Sequence, residues 1–135
     1  MTRWLQYVAA FLLFCHGFVY VRVGSMLPAP IKGWNGGSWL LGNSITTSRL
    51  TKLSIGLHVI AGVAMLACVA AIGVASVFPG WWRPLAIAGS VVGIVAFAVF
   101  WDGQTRLLID EGGLGAFISL LVLAGAIVFR TAFDR

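Results

Sequence analysis

The sequence predicts an all-α polytopic membrane protein, a four-transmembrane-helix bundle with a long loop between helices 1 and 2. Three observations predict it. Four apolar runs, within residues 4–22, 50–78, 83–101 and 107–130, occupy most of the 135 residues. Each reaches or approaches the ~20 residues a helix needs to cross hydrocarbon, where only a backbone that satisfies its own hydrogen bonds survives. Hydrophobic residues make up 60% of the chain and charged residues 10%, whereas a soluble domain is about a quarter charged. The chain has length for a single domain, residues 1–135.

Helix 1 is expected over about residues 5–22. Trp4, Tyr7 and Tyr20 have the amphipathic rings that settle at a membrane interface. Its apolar stretch is longer than the 7–15 residues typical of a signal peptide, and no small-x-small site closes it, so a retained helix is expected. Gly24 and Pro28 are expected to stop it. The connection that follows carries Pro28, Pro30, Gly33, Trp34, Gly36, Gly37 and Trp39. Such a segment cannot cross lipid, and its two tryptophans predict a loop lying on the membrane surface. Thr46, Thr47 and Ser48 offer N-cap hydroxyls for helix 2, expected over 48–78. Pro79 and Gly80 predict a turn, Trp81, Trp82 and Arg83 an interfacial belt, and Pro84 the first turn of helix 3. Helix 3 is expected to end at Trp101, Asp102 and Gly103.

Helix 4 has two readings. It runs unbroken from 107 to 130 with its acids at the interface, or a surface turn precedes a span over about 113–130. Adjacent Gly112 and Gly113 favour the second, since glycine weakens a helix.

Four crossings put both termini on one side. That side holds Arg3, Arg83, Arg130 and Arg135, against Arg22, Lys32, Arg49, Lys52 and Arg106 on the other. The balance is close, and the long Trp/Gly loop decides it. The expectation is a multi-pass protein of the cell (inner) membrane with cytoplasmic termini. The net charge of +5 comes from basic residues dispersed at span ends, with no basic face for nucleic acid.

The chemistry-bearing groups gather at one end of the bundle. His16 lies before the end of helix 1, and His58 follows the start of helix 2, which places both imidazoles at a similar depth. Asp102, Asp110 and Glu111 flank helices 3 and 4 at the same end. Ionisable groups in spans are costly and mark candidate sites. Three readings stay open. The histidines are satisfied by neighbouring helices while the acids pair with Arg22 or Arg106. Or His16, His58, Asp102, Asp110 and Glu111 form a ligand or proton site. Or His16 and His58 ligate haem b. No cofactor is predicted, with haem b as the alternative, and no four-ligand metal set is visible. Cys15 and Cys68 lie in spans without a CxxC spacing, as inert thiols do. HExxH, GxSxG and a strand-borne phosphate loop are all missing.

Small residues let helices approach in lipid. Gly89 and Gly93 form GxxxG on helix 3, and Gly115 and Ser119 form a similar pair on helix 4. Helix 2 carries Gly56, Gly62, Ala67, Ala71 and Gly73. These faces serve packing within the bundle or contact with a second membrane protein.

His16 with Gly17, the stretch from Pro79 to Leu85, Phe100 to Gly103, and Gly115 to Leu120 together resemble a widespread group of uncharacterised small bacterial four-helix membrane proteins, distantly DoxX-like. The resemblance implies a four-helix inner-membrane bundle and brings no activity, cofactor or catalytic residue. Where that group often carries Asn on the last helix, this chain has Ser119.

The expected function is that of a small integral membrane protein, an accessory or interaction component without its own catalysis. Its partners are the lipid bilayer and a membrane protein or a second copy, with no nucleic acid. The alternative is a binder or carrier of a small apolar or redox molecule, a quinone or haem, at a His16/His58 pocket.

Overall fold

Four apolar helices build the protein in the computed structural model, which describes residues 3–26, 35–42, 44–74 and 79–129. They are α1 (Arg3–Met26), α2 (Thr47–Gly73), α3 (Trp82–Phe100) and α4 (Gly113–Val128), with a 3-10 turn at Thr105–Leu107. The described residues hold one isolated β-bridge, Ser38 to Gly42. Three helices are long and apolar enough to cross a membrane: α1 through Gln6–Gly24, α2 and α3. α4 has 16 residues, which is shorter than the usual span.

Consecutive helices run antiparallel. Gly17 of α1 meets Gly62 and Met65 of α2, while Gly24 further along meets Ile55 and Val59. Cys68 of α2 donates to the Trp82 carbonyl at the start of α3, and Gly89 packs on Ala61 and Met65. Arg83 Nε near the start of α3 donates to the Ala126 carbonyl near the end of α4. The core at that end gathers Leu13, Met65, Cys68, Trp82, Ala86 and Ala126. Large apolar side chains face outward instead, Phe11, Phe14 and Phe18 on α1 and Leu114, Phe117 and Leu121 on α4 among them. Apolar exteriors on this scale suit contact with a membrane.

α1 packs along α2, α2 along α3 and α3 along α4, but α1 and α4 approach each other at only a few points. The bundle is therefore an open ring with a seam between its first and last helices.

Local chemistry explains the boundaries. Thr46 caps α2, its hydroxyl accepting from Arg49 N at 3.5 Å. Pro84 falls in the first turn of α3, where no internal N–H partner is lost. One expectation needs correction, and the structure separates the two readings of helix 4 in favour of the second. Gly24 does not stop helix 1, which continues to Met26. Gly24 is a contact residue: a Cβ there would lie 3.0 Å from Val59 Cγ2. Helix 4 does not run from 107. Gly112 takes φ +100°, left-handed backbone that breaks the helix, and Gly113 N turns back to donate to the Leu108 carbonyl at 2.7 Å.

Residues 35–42, between α1 and α2, dock on the end of α3. Trp39 N donates to the Trp101 carbonyl at 2.8 Å, and the two indoles lie 5.7 Å apart. Asn35 N donates to Asp102 Oδ2 at 3.2 Å. The expected roles of Pro28, Pro30, Lys32, Trp34, Phe78, Arg130 and Arg135 lie outside the described residues.

Candidate functional site

The seam between α1 and α4 is bridged by polar atoms. His16 and Tyr20 stand one turn apart on α1, hence on one face. Both point to Ser119 of α4: His16 Nε2 lies 3.1 Å and Tyr20 Oη 3.0 Å from its Oγ. Ser119 is fully buried, Tyr20 is 5% exposed and His16 7%. The serine hydroxyl carries one proton and can accept others. The chain is thus satisfied in two directions. Tyr20 donates to Ser119, which donates to His16, or His16 donates to Ser119, which donates to Tyr20.

α3 makes room for this chain at Gly93. A Cβ there would fall 2.6 Å from Tyr20 Oη and 3.0 Å from Ser119 Oγ. Gly115 also lies beside the tyrosine ring. Gly89 serves a different contact, with α2.

His58 enters from α2. Its Nδ1 lies 2.7 Å from the Ser54 carbonyl one turn earlier and so donates to it. That bond fixes the tautomer of the neutral ring and leaves Nε2 as its acceptor. His58 is 3% exposed. The rings form a row: His16 to Tyr20 at 4.8 Å, Tyr20 to His58 at 5.6 Å, and His58 to Phe100 at 6.5 Å. Tyr20 thus contacts both imidazoles.

Two apolar cavities adjoin at this polar row. One of about 600 Å³ is lined by Cys15, His16, Tyr20, His58, Ile109 and Asp110, among others. The other, about 420 Å³, continues towards Trp82, Val122 and Phe129. Leu12, His16 and Ile118 belong to both walls. Together they form a groove along the α1/α4 seam, mostly apolar but for His16, Tyr20, His58 and Asp110.

The five candidate groups do not share one pocket. His16, His58 and Asp110 line the larger cavity. Asp102 lines a separate polar pocket of about 450 Å³ with Asn35, Ser38 and Thr47. Glu111 is 2% exposed, in the turn before α4. Its Oε2 accepts from Asp102 N at 3.0 Å, and its Oε1 has no partner. Burial, with the neighbouring Asp102 and Asp110 charges, pushes this carboxyl up to about 7, although the Asp102 N–H bond opposes the shift. Asp102 moves the opposite way. Its partial burial is outweighed by donation from Gln104 N, Asn35 N and the Gln104 side chain, which holds it below the usual carboxylate range. The expected pairing of acids with Arg106 does not form: Arg106 Nε donates to Gln104 Oε1 at 2.9 Å.

Tyr20 and Ser119 carry parts of the site that the sequence reading placed elsewhere, and Ser54 is a part it did not name. Tyr20 is buried in the bundle rather than at an interface, and Ser119 bonds as well as packs. The available signal was spacing. Tyr20 follows His16 by one turn and Ser54 precedes His58 by one turn, each pair polar on an otherwise apolar helix. Among the described residues no cluster of three or more His, Cys, Asp or Glu could hold a metal ion. No family model, curated protein or solved structure matches the chain.

Proposed function

We propose that the protein binds a small lipid-soluble molecule in the α1/α4 groove, with a carbonyl or hydroxyl head bonded at His16 and Tyr20, both oriented by the buried Ser119 hydroxyl. The observation that carries this reading is the coincidence of an open apolar groove with a buried hydrogen-bond chain, Tyr20–Ser119–His16, whose two α1 members line it. Binding sites for such ligands are mostly apolar with a few convergent polar groups. A quinone fits the chemistry. Its carbonyl oxygen accepts from Tyr20 or His16, its ring stacks among apolar walls, and its tail lies along the seam towards Phe129. Two-way satisfaction of the Tyr20–Ser119–His16 chain allows the head to be an acceptor or a donor.

Haem is the weaker form of this reading. His16 Nε2, the atom that would ligate the iron, is held by Ser119, and Tyr20 packs against both imidazole rings. A macrocycle held by both imidazoles would have to break the His16–Ser119 bond. A purely accessory role is also weaker, because a bundle acting through its outer face alone has no use for an open cavity beside its buried polar groups.

The same reading takes α4 as a fourth crossing. Bonds at both of its ends, Arg83 to Ala126 and Asp102 to Glu111, support α4 running the length of α3. It also takes the membrane as the bacterial inner membrane with cytoplasmic termini, in keeping with the DoxX-like layout and the Trp39 loop on the outer side.

The test is titration of purified protein in detergent with a short-tailed quinone, read by quenching of tryptophan fluorescence, Trp82 lining the groove. Saturable binding, weakened about tenfold in Ser119→Ala and His16→Ala, is expected, equal to one charge-assisted or two neutral hydrogen bonds. Non-saturating quenching, identical in both variants, overturns the proposal.

A further inference from the structure

Glu111 is a buried carboxyl that the groove chemistry does not use. One of its oxygens accepts the Asp102 N–H, while the other is shut from solvent with no donor. Among the described residues, the charged groups acting on it are Asp102, at the end of α3, and Asp110, beside it in the turn. Both are acids. Arg106 on the preceding 3-10 turn is directed to Gln104, His16 meets Ser119, and His58 meets Ser54. A buried carboxylate with one donor, no cation and two acidic neighbours lacks what stabilises the charge. Asp102 is supplied instead, accepting from Gln104 N at 2.9 Å, Asn35 N at 3.2 Å and the Gln104 amide. The two carboxyls are close enough to act on each other directly. An unequal pair of this kind holds one proton between two acids, and it resides on the group with fewer donors.

We propose that Asp102 and Glu111 form a proton-sharing carboxyl pair, whose proton fastens the connection between α3 and α4 at the mouth of the groove. Protonated Glu111 donates its O–H towards Asp102 while its other oxygen still accepts Asp102 N–H. Loss of the proton to water leaves two facing carboxylates, and the turn is pushed off the end of α3. The turn matters to the groove because Ile109, Asp110 and Gly112, on either side of Glu111, line the larger cavity. The Asp102 side of the pair also holds the docked loop through Asn35 N, so both connections at this end of the bundle respond to one proton.

The pair requires no ligand, and its test is independent of the quinone reading. Infrared difference spectra of the full chain, reconstituted in phosphatidylcholine vesicles and titrated from pH 5 to 9, report protonated carboxyl directly. A carboxylic C=O band is expected to disappear with a midpoint near 7, to be missing from Glu111→Gln, and to shift its midpoint down in Asp102→Asn. Hydrogen exchange across residues 103–112, corrected for intrinsic pH dependence, should accelerate above that midpoint in the wild type and stay flat in Glu111→Gln, which keeps the neutral, donating form. A band whose titration is complete below pH 5.5, a band retained in Glu111→Gln, or exchange that ignores pH in the wild type would each overturn the proposal. Asp102→Asn keeps the test decisive should Glu111→Gln fail to fold, since an unmoved midpoint there refutes the sharing.

Discussion

Ser119 stands where two helices have little else in common. Its hydroxyl is the shared partner of His16 and Tyr20, and removing it strands two buried polar groups at once. Ser119→Ala should cost about 1–3 kcal/mol, read as a lower thermal midpoint in detergent; an unchanged midpoint would mean that water or a rearranged ring takes the place of the hydroxyl. Gly93→Ala attacks the same chain from α3. With Tyr20 Oη only 2.6 Å from the new Cβ, the tyrosine must move, and overpacking of this sort costs about 1–3 kcal/mol. Ligand affinity should fall along with stability, a coupling that a merely structural glycine elsewhere in the bundle would not show.

Glu111 gives stability a pH dependence of definite sign. A carboxyl pushed up to about 7 in the folded chain binds its proton more tightly than the unfolded chain does. Its contribution is therefore complete below the ordinary glutamate range and is lost as pH rises through about 7. Thermal midpoints measured across that window should decline in the wild type and decline less in Glu111→Gln.

At the scale of elements, glycine decides where helices end and how closely they cross. The α1/α2 crossing is the tightest: Gly62 has the Gly17 carbonyl 2.7 Å and Val21 Cγ2 2.6 Å from where a Cβ would stand. Gly56, two turns earlier on α2, has nothing within 4 Å. Gly62→Ala should thus destabilise the bundle, while Gly56→Ala should be neutral or add about 0.5–1 kcal/mol through helix propensity; equal effects in a melting assay would sink the distinction. Much of this organisation was legible in the chain. Apolar length marked the four helices, Pro79 with Gly80 marked a turn, and Gly112 with Gly113 marked the start of α4. The polar row was only half legible. His16 and His58 stood out because histidine is rare in apolar runs. Tyr20 did not, because tyrosine near a helix end reads equally as an interfacial anchor, and only the Gly93 notch across the bundle tells which way its ring turns. Ser119 was hidden in the same manner, since a small residue serves close packing and hydrogen bonding alike. The separation of Asp102 from the histidines depends on the loop folding back through Asn35 and Trp39, a long-range contact that no local pattern encodes.

At the scale of the whole molecule, the open ring sets what can reach the histidines. Cys15 borders the larger cavity and is partly accessible, whereas Cys68 is sealed in the core against Trp82. A membrane-permeant maleimide should therefore label Cys15 and spare Cys68. A quinone that fills the groove should slow that labelling, and Cys15→Ser should abolish it. Labelling of Cys68 at a similar rate would mean that the helices part more widely than their packing implies.

A seam that opens sideways changes what a binding constant means for this protein. On the proposed reading an occupant arrives from the acyl chains, where hydrophobic molecules are enriched far above their aqueous level, so a site of modest intrinsic strength can still be filled. The controlling variable is mole fraction in the bilayer. Dilution of the surrounding lipid, with the water volume left unchanged, is what should empty it.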